Sequence, residues 1–188
     1  ATGQVIVPFE YEELNWIESL MNRNGEKVLI LRAQKNGVSG IIDLDNQTVV
    51  PFEYQWAALS ADKKHFLVKQ NNRLGLLRQD LSVAIPIRYV QIIQPNENIY
   101  MPLNEQSLYG ARTAEREIVP EKYQREDIKV TGRVIQVKQD SLSWLYAQQG
   151  EFEPFQYTHR ETFADRWNAA LVYHLPDSCK CLVSNQEN

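Results

Sequence analysis

The sequence predicts an all-β protein made of tandem three-stranded antiparallel repeats of about 35 residues, forming an open twisted array with a short helix near the N-terminus. Three observations favour this fold class. A Pro-x-x-Tyr motif recurs at nearly constant spacing, a glycine-led apolar stretch precedes most copies, and turn-forming residues separate the apolar runs. A closed, propeller-like ring is the alternative arrangement of the same repeats.

The Pro-x-x-Tyr motif occurs five times, and its successive prolines are 43, 35, 34 and 34 residues apart. Such a constant period indicates a repeat architecture. Proline lacks the backbone donor of a sheet ladder, so each motif is expected at an edge, a bulge or a strand end, with the tyrosine packed over the following bend. The motifs are Pro8 to Tyr11, Pro51 to Tyr54, Pro86 to Tyr89, Pro120 to Tyr123 and Pro154 to Tyr157.

Glycine opens the apolar stretch that lies ten or eleven residues before the proline in three copies, at Gly40, Gly75 and Gly110. Another strand-like run precedes each stretch, and residues such as Asn36-Gly37 and Asn71-Asn72 close the hairpins between them. Each unit therefore reads as three short strands. We predict a single repeat domain over 1–188, with units at roughly 5–47, 48–82, 83–116, 117–150 and a partial unit at 151–183, and a tail at 184–188.

The first unit carries an insertion between residues 12 and 25. Leu14, Ile17, Leu20 and Met21 follow a helical spacing there, and Asn24-Gly25 gives a stop signal. The pattern predicts a short amphipathic helix.

The bulk composition excludes several classes of protein. A net charge of −4 without a cluster of basic residues argues against nucleic-acid binding. No apolar run approaches the roughly 20 residues that span a bilayer, which predicts a soluble chain without a membrane span. The compartment stays open between the cytoplasm and export, because Ala1 fits either a processed N-terminus or a trimmed one.

The run from Lys69 to Leu77, followed by Asp80 and by Ala84 to Tyr89, resembles the WG-repeat family of bacterial proteins. Tyr109-Gly110, Ser39 to Asp43 and Val49 to Tyr54 match further parts of the family's unit, although its tryptophan before glycine is absent here. The resemblance implies a tandem β-repeat module of the kind usually regarded as an interaction domain. It carries over no catalytic residue.

Catalytic and metal-binding patterns are weak. Cys179 and Cys181 could hold zinc with His174, His159 and Asp177, and Cys179 with His174 could serve a hydrolase, but the cysteine spacing matches no usual ligand hairpin. Carboxylate pairs require fixed separation and burial, whereas the acidic stretches here are polar. We predict no enzyme, no catalytic residue, no metal and no cofactor, and keep a hydrolase as the less favoured class.

Binding is therefore the function that the sequence predicts, with another protein as the partner. Aromatic residues are the favoured anchors of interfaces, and an acidic patch would suit a basic partner. A small acidic inhibitor or immunity-type protein that masks a toxin or an enzyme is the alternative. Exposed edge strands allow a monomer or a weak homodimer. The candidate binding residues are Trp16, Trp56, Glu115, Glu117, Glu126 and Asp127.

Overall fold

The computed structural model describes residues 7, 10–22, 24–132, 134–139, 142–147, 155–157, 159–163, 169–174 and 179–184, and for 16–18, 142 and 155–184 only the backbone. All regular structure in this part of the chain is β-strand, apart from one 3-10 turn at Arg125–Asp127. The all-β prediction is confirmed. Within the same residues, no helix is long and apolar enough to cross a membrane.

The chain divides into two compact units, Ala1–Glu97 and Asn98–Asn188. The first unit holds two four-stranded antiparallel sheets whose strands are neighbours in chain order. The first sheet consists of β1 (Glu13–Met21), β2 (Lys27–Lys35), β3 (Val38–Asp43) and β4 (Thr48–Tyr54). The second sheet consists of β5 (Trp56–Leu59), β6 (Phe66–Gln70), β7 (Arg73–Leu77) and β8 (Val83–Tyr89), and β9 (Gln91–Asn96) follows it.

The second unit contains further antiparallel strands, again paired in chain order. The first of these strands, each paired with the next, are β10 (Ile99–Leu103), β11 (Tyr109–Arg112) and β12 (Glu117–Tyr123). A four-stranded sheet follows, with β13 (Ile128–Thr131), β14 (Val134–Gln139), β15 (Leu142–Ala147) and β16 (Phe155–Tyr157). The last sheet has β17 (His159–Phe163), β18 (Ala169–His174) and β19 (Cys179–Ser184).

The core of the first unit lies between its two sheets. Ile30, Ile41 and Val50 from the first sheet meet Phe66 and Val68 from the second, and all five side chains are fully buried. Each strand contributes alternate residues to this core, as the two-residue period of a half-buried strand requires.

The Pro-x-x-Tyr motif ends an edge strand at β4, β8 and β12, in agreement with the loss of a ladder donor at proline. The register shows why glycine accompanies it. On β7, Leu74 and Leu76 are paired with Tyr89 and Ile85, so three residues of β8 lie opposite the single Gly75. The same bulge lies opposite Gly40 and Gly110.

The tyrosines that end these strands are buried: Tyr54 and Tyr123 are 6% exposed and Tyr89 is fully buried. Tyr11 is half-buried. Pro8 and Pro154 lie outside the described residues, and for Tyr157, the last residue of β16, only the backbone is described.

The predicted helix at residues 12–25 is wrong, because Glu13–Met21 form strand β1. A bulge explains the misleading spacing. Positions 17 and 20 are three residues apart on β1, yet their partners Ile30 and Val28 are only two apart on β2, so Glu18 is the extra residue. Asn24 and Gly25 belong to the turn that closes the β1–β2 hairpin rather than to the end of a helix.

The prediction of three strands per unit is also wrong, since the sheets of β1 to β4, β5 to β8 and β13 to β16 each have four strands. The additional strand is the short stretch after each tyrosine, for example β5 after Tyr54 and β13 after Tyr123. These stretches are only four residues long in both cases, too short for an alternating pattern to be recognised.

Candidate functional site

The first sheet has a second apolar face, which we name the outer face. Leu31, Ala33 and Ile42 form a buried cluster there, separate from the core that faces the second sheet. Leu14 is paired with Ala33, and Leu29 lies two residues before Leu31 on β2, so both belong to this face. They are 44% and 45% exposed, which makes them two of the large apolar side chains that the sheet leaves in contact with solvent.

An aromatic pair covers one end of the outer face. The rings of Tyr11 and Phe52 stack at 5.6 Å between centroids and 19° between planes. The Tyr11 hydroxyl donates a hydrogen bond of 2.6 Å to Oδ1 of Asn46, which fixes the ring over the sheet. Val7 and Leu44 pack against the same cluster. Burial raises the pKa of the Tyr11 hydroxyl.

Charged residues border this pair. The Nζ atom of Lys35 lies 2.6 Å from Oε2 of Glu10 and 5.9 Å from the centre of the Tyr11 ring. The hydrogen bond from Lys35 lowers the pKa of Glu10, and the same bond raises the pKa of Lys35. Both side chains are about two-fifths exposed, so this ion pair adds little stability and forms a polar margin to the apolar face.

The aromatic pair on the outer face occupies the same motif positions as two residues of the core. Tyr54, the tyrosine of the motif on β4, packs in the cluster that includes Ile87, the residue after Pro86 on β8. Tyr11 and Phe52 hold the corresponding positions, a motif tyrosine against the residue after Pro51. Burial, and then the Glu53 carboxylate, raise the pKa of Tyr54 to about 12. The outer face is therefore built like the face of the second sheet that receives the first.

A polar cleft of about 320 Å³ lies in the second unit. It is formed where the end of β12, the 3-10 turn and the end of β14 meet. Strand β13 begins at Ile128, which is paired with Val137, so the last two residues of β14 extend past it and pair only with β15. The lining residues are Lys122, Tyr123, Gln124, Asp127, Lys138 and Gln139.

The groups in the cleft are fixed by local contacts. The Nζ atom of Lys122 lies 5.2 Å from the centre of the Tyr123 ring, a cation–π contact. Oδ2 of Asp127 accepts a 3.3 Å hydrogen bond from the backbone N–H of Gln124. Burial, and then the neighbouring Tyr123, raise the pKa of Tyr146.

The two tryptophans predicted as binding residues lie in different sheets. Trp16 on β1 is paired with Leu31, a residue of the outer face, and its side chain lies outside the described part of the structure. Trp56 begins β5, is half-buried and is paired with Lys69, so it belongs to the second sheet and not to the outer face.

The four acidic residues predicted as binding residues lie at opposite ends of β12. Glu115 and Glu117 flank its start, whereas Glu126 and Asp127 belong to the 3-10 turn after its end. The remaining residues of β12, from Ile118 to Tyr123, separate the two pairs by roughly 20 Å. Only Asp127 lines the cleft. Sequence reasoning missed the other polar members of the cleft, because β14 meets the turn only in the folded chain.

Histidine lies close to a cysteine in one pair of strands and to a serine in one turn. Cys179 and His174 are paired in register on β19 and β18, where only the backbone is described. In the β5–β6 turn the Ser60 hydroxyl donates to Asp62, and Nδ1 of His65 lies 2.6 Å from the other oxygen of that carboxylate. The imidazole thus meets the aspartate, and Oγ of Ser60 lies 3.0 Å from the backbone carbonyl oxygen of His65, so this trio stabilises the turn.

Within the described residues, no group of three or more His, Cys, Asp and Glu is placed to hold a metal ion.

Comparisons with known proteins identify no family. No family model matches the chain, and no curated protein is similar to it. Among solved structures, a chain of the S. cerevisiae assembly of Dbp5 bound to Nup159, Gle1, IP6 and ADP is 13% identical at a TM-score of 0.35, over 91% of this chain and 58% of that chain. The N-terminal domain of Nup159 is 12% identical at a TM-score of 0.35, over 95% of this chain and 62% of that chain. At these values neither similarity assigns a fold family or a function.

Proposed function

We propose that this protein is a non-enzymatic protein-binding module built from degenerate WG-like repeats, and that the outer face of its first sheet is a binding surface. The observation that carries the proposal is the pair of exposed leucines, Leu14 and Leu29, on a face that also holds the stacked Tyr11 and Phe52. Contiguous apolar surface bordered by charged residues is typical of protein interaction sites.

The partner is expected to offer an apolar sheet face of its own. The second sheet already packs against such a face in the core that includes Tyr54 and Ile87, and Tyr11 and Phe52 hold the matching motif positions on the outer face. Nearly half of each exposed leucine remains to be buried, which is worth about 1 kcal/mol per side chain. Tyr11 and Phe52 shape one end of the outer face. Leu14 and Leu29 supply most of the apolar area that the partner would bury.

Capture of a partner from the native source by the full chain, followed by mass spectrometry, tests this function. Leu29→Asp places a charge in the outer face, and Val90→Asp is the matched control, since Val90 is 46% exposed and lies after β8. We expect wild type and V90D to bind one protein at a fixed stoichiometry and L29D to lose it. Circular dichroism should show the same strand signal for all three proteins, because both positions are exposed.

Two results would contradict the proposal. Retention of the partner by L29D would show that the outer face is not the surface that binds it. Equal loss in V90D would show that any added charge weakens binding, independently of this surface.

A further inference from the structure

The polar cleft of the second unit holds two lysines whose charge the described structure does not neutralise. Lys122 contacts the Tyr123 ring, and no described residue forms an ion pair with Lys122 or with Lys138. Among the described lining residues, Asp127 is the single carboxylate, and it accepts a hydrogen bond from the backbone N–H of Gln124. Two ammonium groups against one carboxylate give this described lining a formal net charge of +1, although the whole chain carries −4.

The other polar groups of the cleft add donors to this charge. The side-chain amides of Gln124 and Gln139 line the same space, and each offers an N–H group. Ammonium and amide donors that converge on one site favour a ligand oxygen with negative charge, because charge-assisted hydrogen bonds are stronger than neutral ones. A cationic ligand would meet two like charges. The cleft chemistry therefore selects an oxyanion.

The size and the position of the cleft favour a peptide over a cofactor. A volume of about 320 Å³ is at the lower end of the range for ligand sites and has room for one or two side chains. Lys138 and Gln139 extend past the start of β13 and line the cleft together with Gln124 and Asp127, so the cleft can receive a side chain from an extended segment that crosses it. A carboxylate carried by such a segment would then reach both lysines.

We propose that this cleft binds the carboxylate side chain of an acidic, extended peptide segment. Its residues belong to Asn98–Asn188, whereas the outer face belongs to Ala1–Glu97, so the assignment does not depend on the function proposed for that face. Lys122 and Lys138 bind the carboxylate, and the amides of Gln124 and Gln139 orient it.

Direct titration of the full chain with labelled octapeptides tests the proposal by fluorescence anisotropy. The probe alternates Ser and Glu, and the comparison peptide alternates Ser and Gln. We expect the Glu peptide to bind on the order of tenfold more tightly than the Gln peptide, and the variant K122Q/K138Q to lose this preference. The control K27Q/K129Q removes the same charge from two exposed lysines outside the cleft and should retain the preference.

Three results would overturn the assignment. Equal binding of the Glu and Gln peptides would show that the cleft does not distinguish a carboxylate from an amide. Equal weakening in K27Q/K129Q would reduce the effect to nonspecific attraction. If inorganic phosphate displaced the Glu peptide at the peptide's own dissociation constant, the cleft would be a simple anion site and not a peptide site. Unchanged thermal unfolding of both double variants would confirm that the lysines act in binding and not in folding.

Discussion

Gly75→Ala should destabilise the protein, although alanine is normally the better residue in ordered structure. A Cβ atom on Gly75 would lie 2.6 Å from Cγ1, 2.7 Å from Cα and 2.8 Å from N of Ile87. Two of these atoms are backbone, so β8 must move away from β7. Overpacking of this kind costs about 1–3 kcal/mol, and the lower entropy of the unfolded chain returns about 0.4–1 kcal/mol. The expected net loss is about 1–2 kcal/mol.

Urea unfolding followed by tryptophan fluorescence measures this loss. Gly37→Asn is the control, because Gly37 has φ +74° with no atom within 4 Å of an added Cβ, and asparagine tolerates that conformation. It should stay within about 0.5 kcal/mol of wild type. The double variant G75A/I87A should recover little of the loss, since the backbone contacts remain. An unchanged midpoint for G75A, or full recovery in the double variant, would refute the argument from close approach.

Three further changes have defined outcomes. The free energy of unfolding should fall between pH 10 and pH 12, because the pKa of Tyr54 is about 12 in the folded state and 10.0 in the unfolded chain. Tyr54→Phe should reduce this fall in urea titrations across that range. Ser107→Asn should raise the free energy of unfolding by about 0.5 kcal/mol, since Ser107 is exposed at φ +62° and asparagine adopts this conformation more readily. Asp62→Ala should lower the thermal midpoint by roughly 2–4 °C, because the carboxylate accepts hydrogen bonds from the backbone N–H groups of Lys64 and His65 and its loss costs about 1 kcal/mol.

The parts of the fold that could be predicted depend on residue types that restrict the backbone in one defined way. Proline cannot donate to a ladder, so the motif at Pro51 indicated an edge, and β4 is one. Asn36-Gly37 adopts the positive φ angles of a tight hairpin, so the β2–β3 turn could be located as well. These rules act locally and need no knowledge of the partner strands.

The parts that could not be predicted depend on pairing between strands. The bulge at Glu18 gives Ile17 and Leu20 a spacing that is typical of a helix, and only the register with β2 reveals it. Pairing also decides which polar residues meet. The sequence suggested that the acidic stretch from Glu115 to Asp127 forms one patch, but β12 runs through the middle of this stretch and separates its two ends. The cleft brings Asp127 to Lys138, a residue with no local signal for binding.

The residue before each motif tyrosine is the position that the architecture leaves free to vary. Proline and glycine are held by the bulge and tyrosine by burial, but the residue before the tyrosine is exposed on β4, β8 and β12. Its charge changes sign along the chain. Glu53 raises the pKa of Tyr54, whereas Arg88 lies 5.1 Å from the Tyr89 ring and donates a 3.1 Å hydrogen bond to the Tyr89 hydroxyl.

Lys122 holds the same position on β12, again over the tyrosine ring, and there it also lines the cleft. The same proline bulge therefore presents a carboxylate on edge strand β4 and a cation on edge strands β8 and β12. The tyrosine that follows it is buried in all three strands. The charge at each of these edges is therefore set by this exposed residue. Exchange of Lys122 for glutamate should thus alter what the cleft binds while leaving the strand pairing of β12 intact.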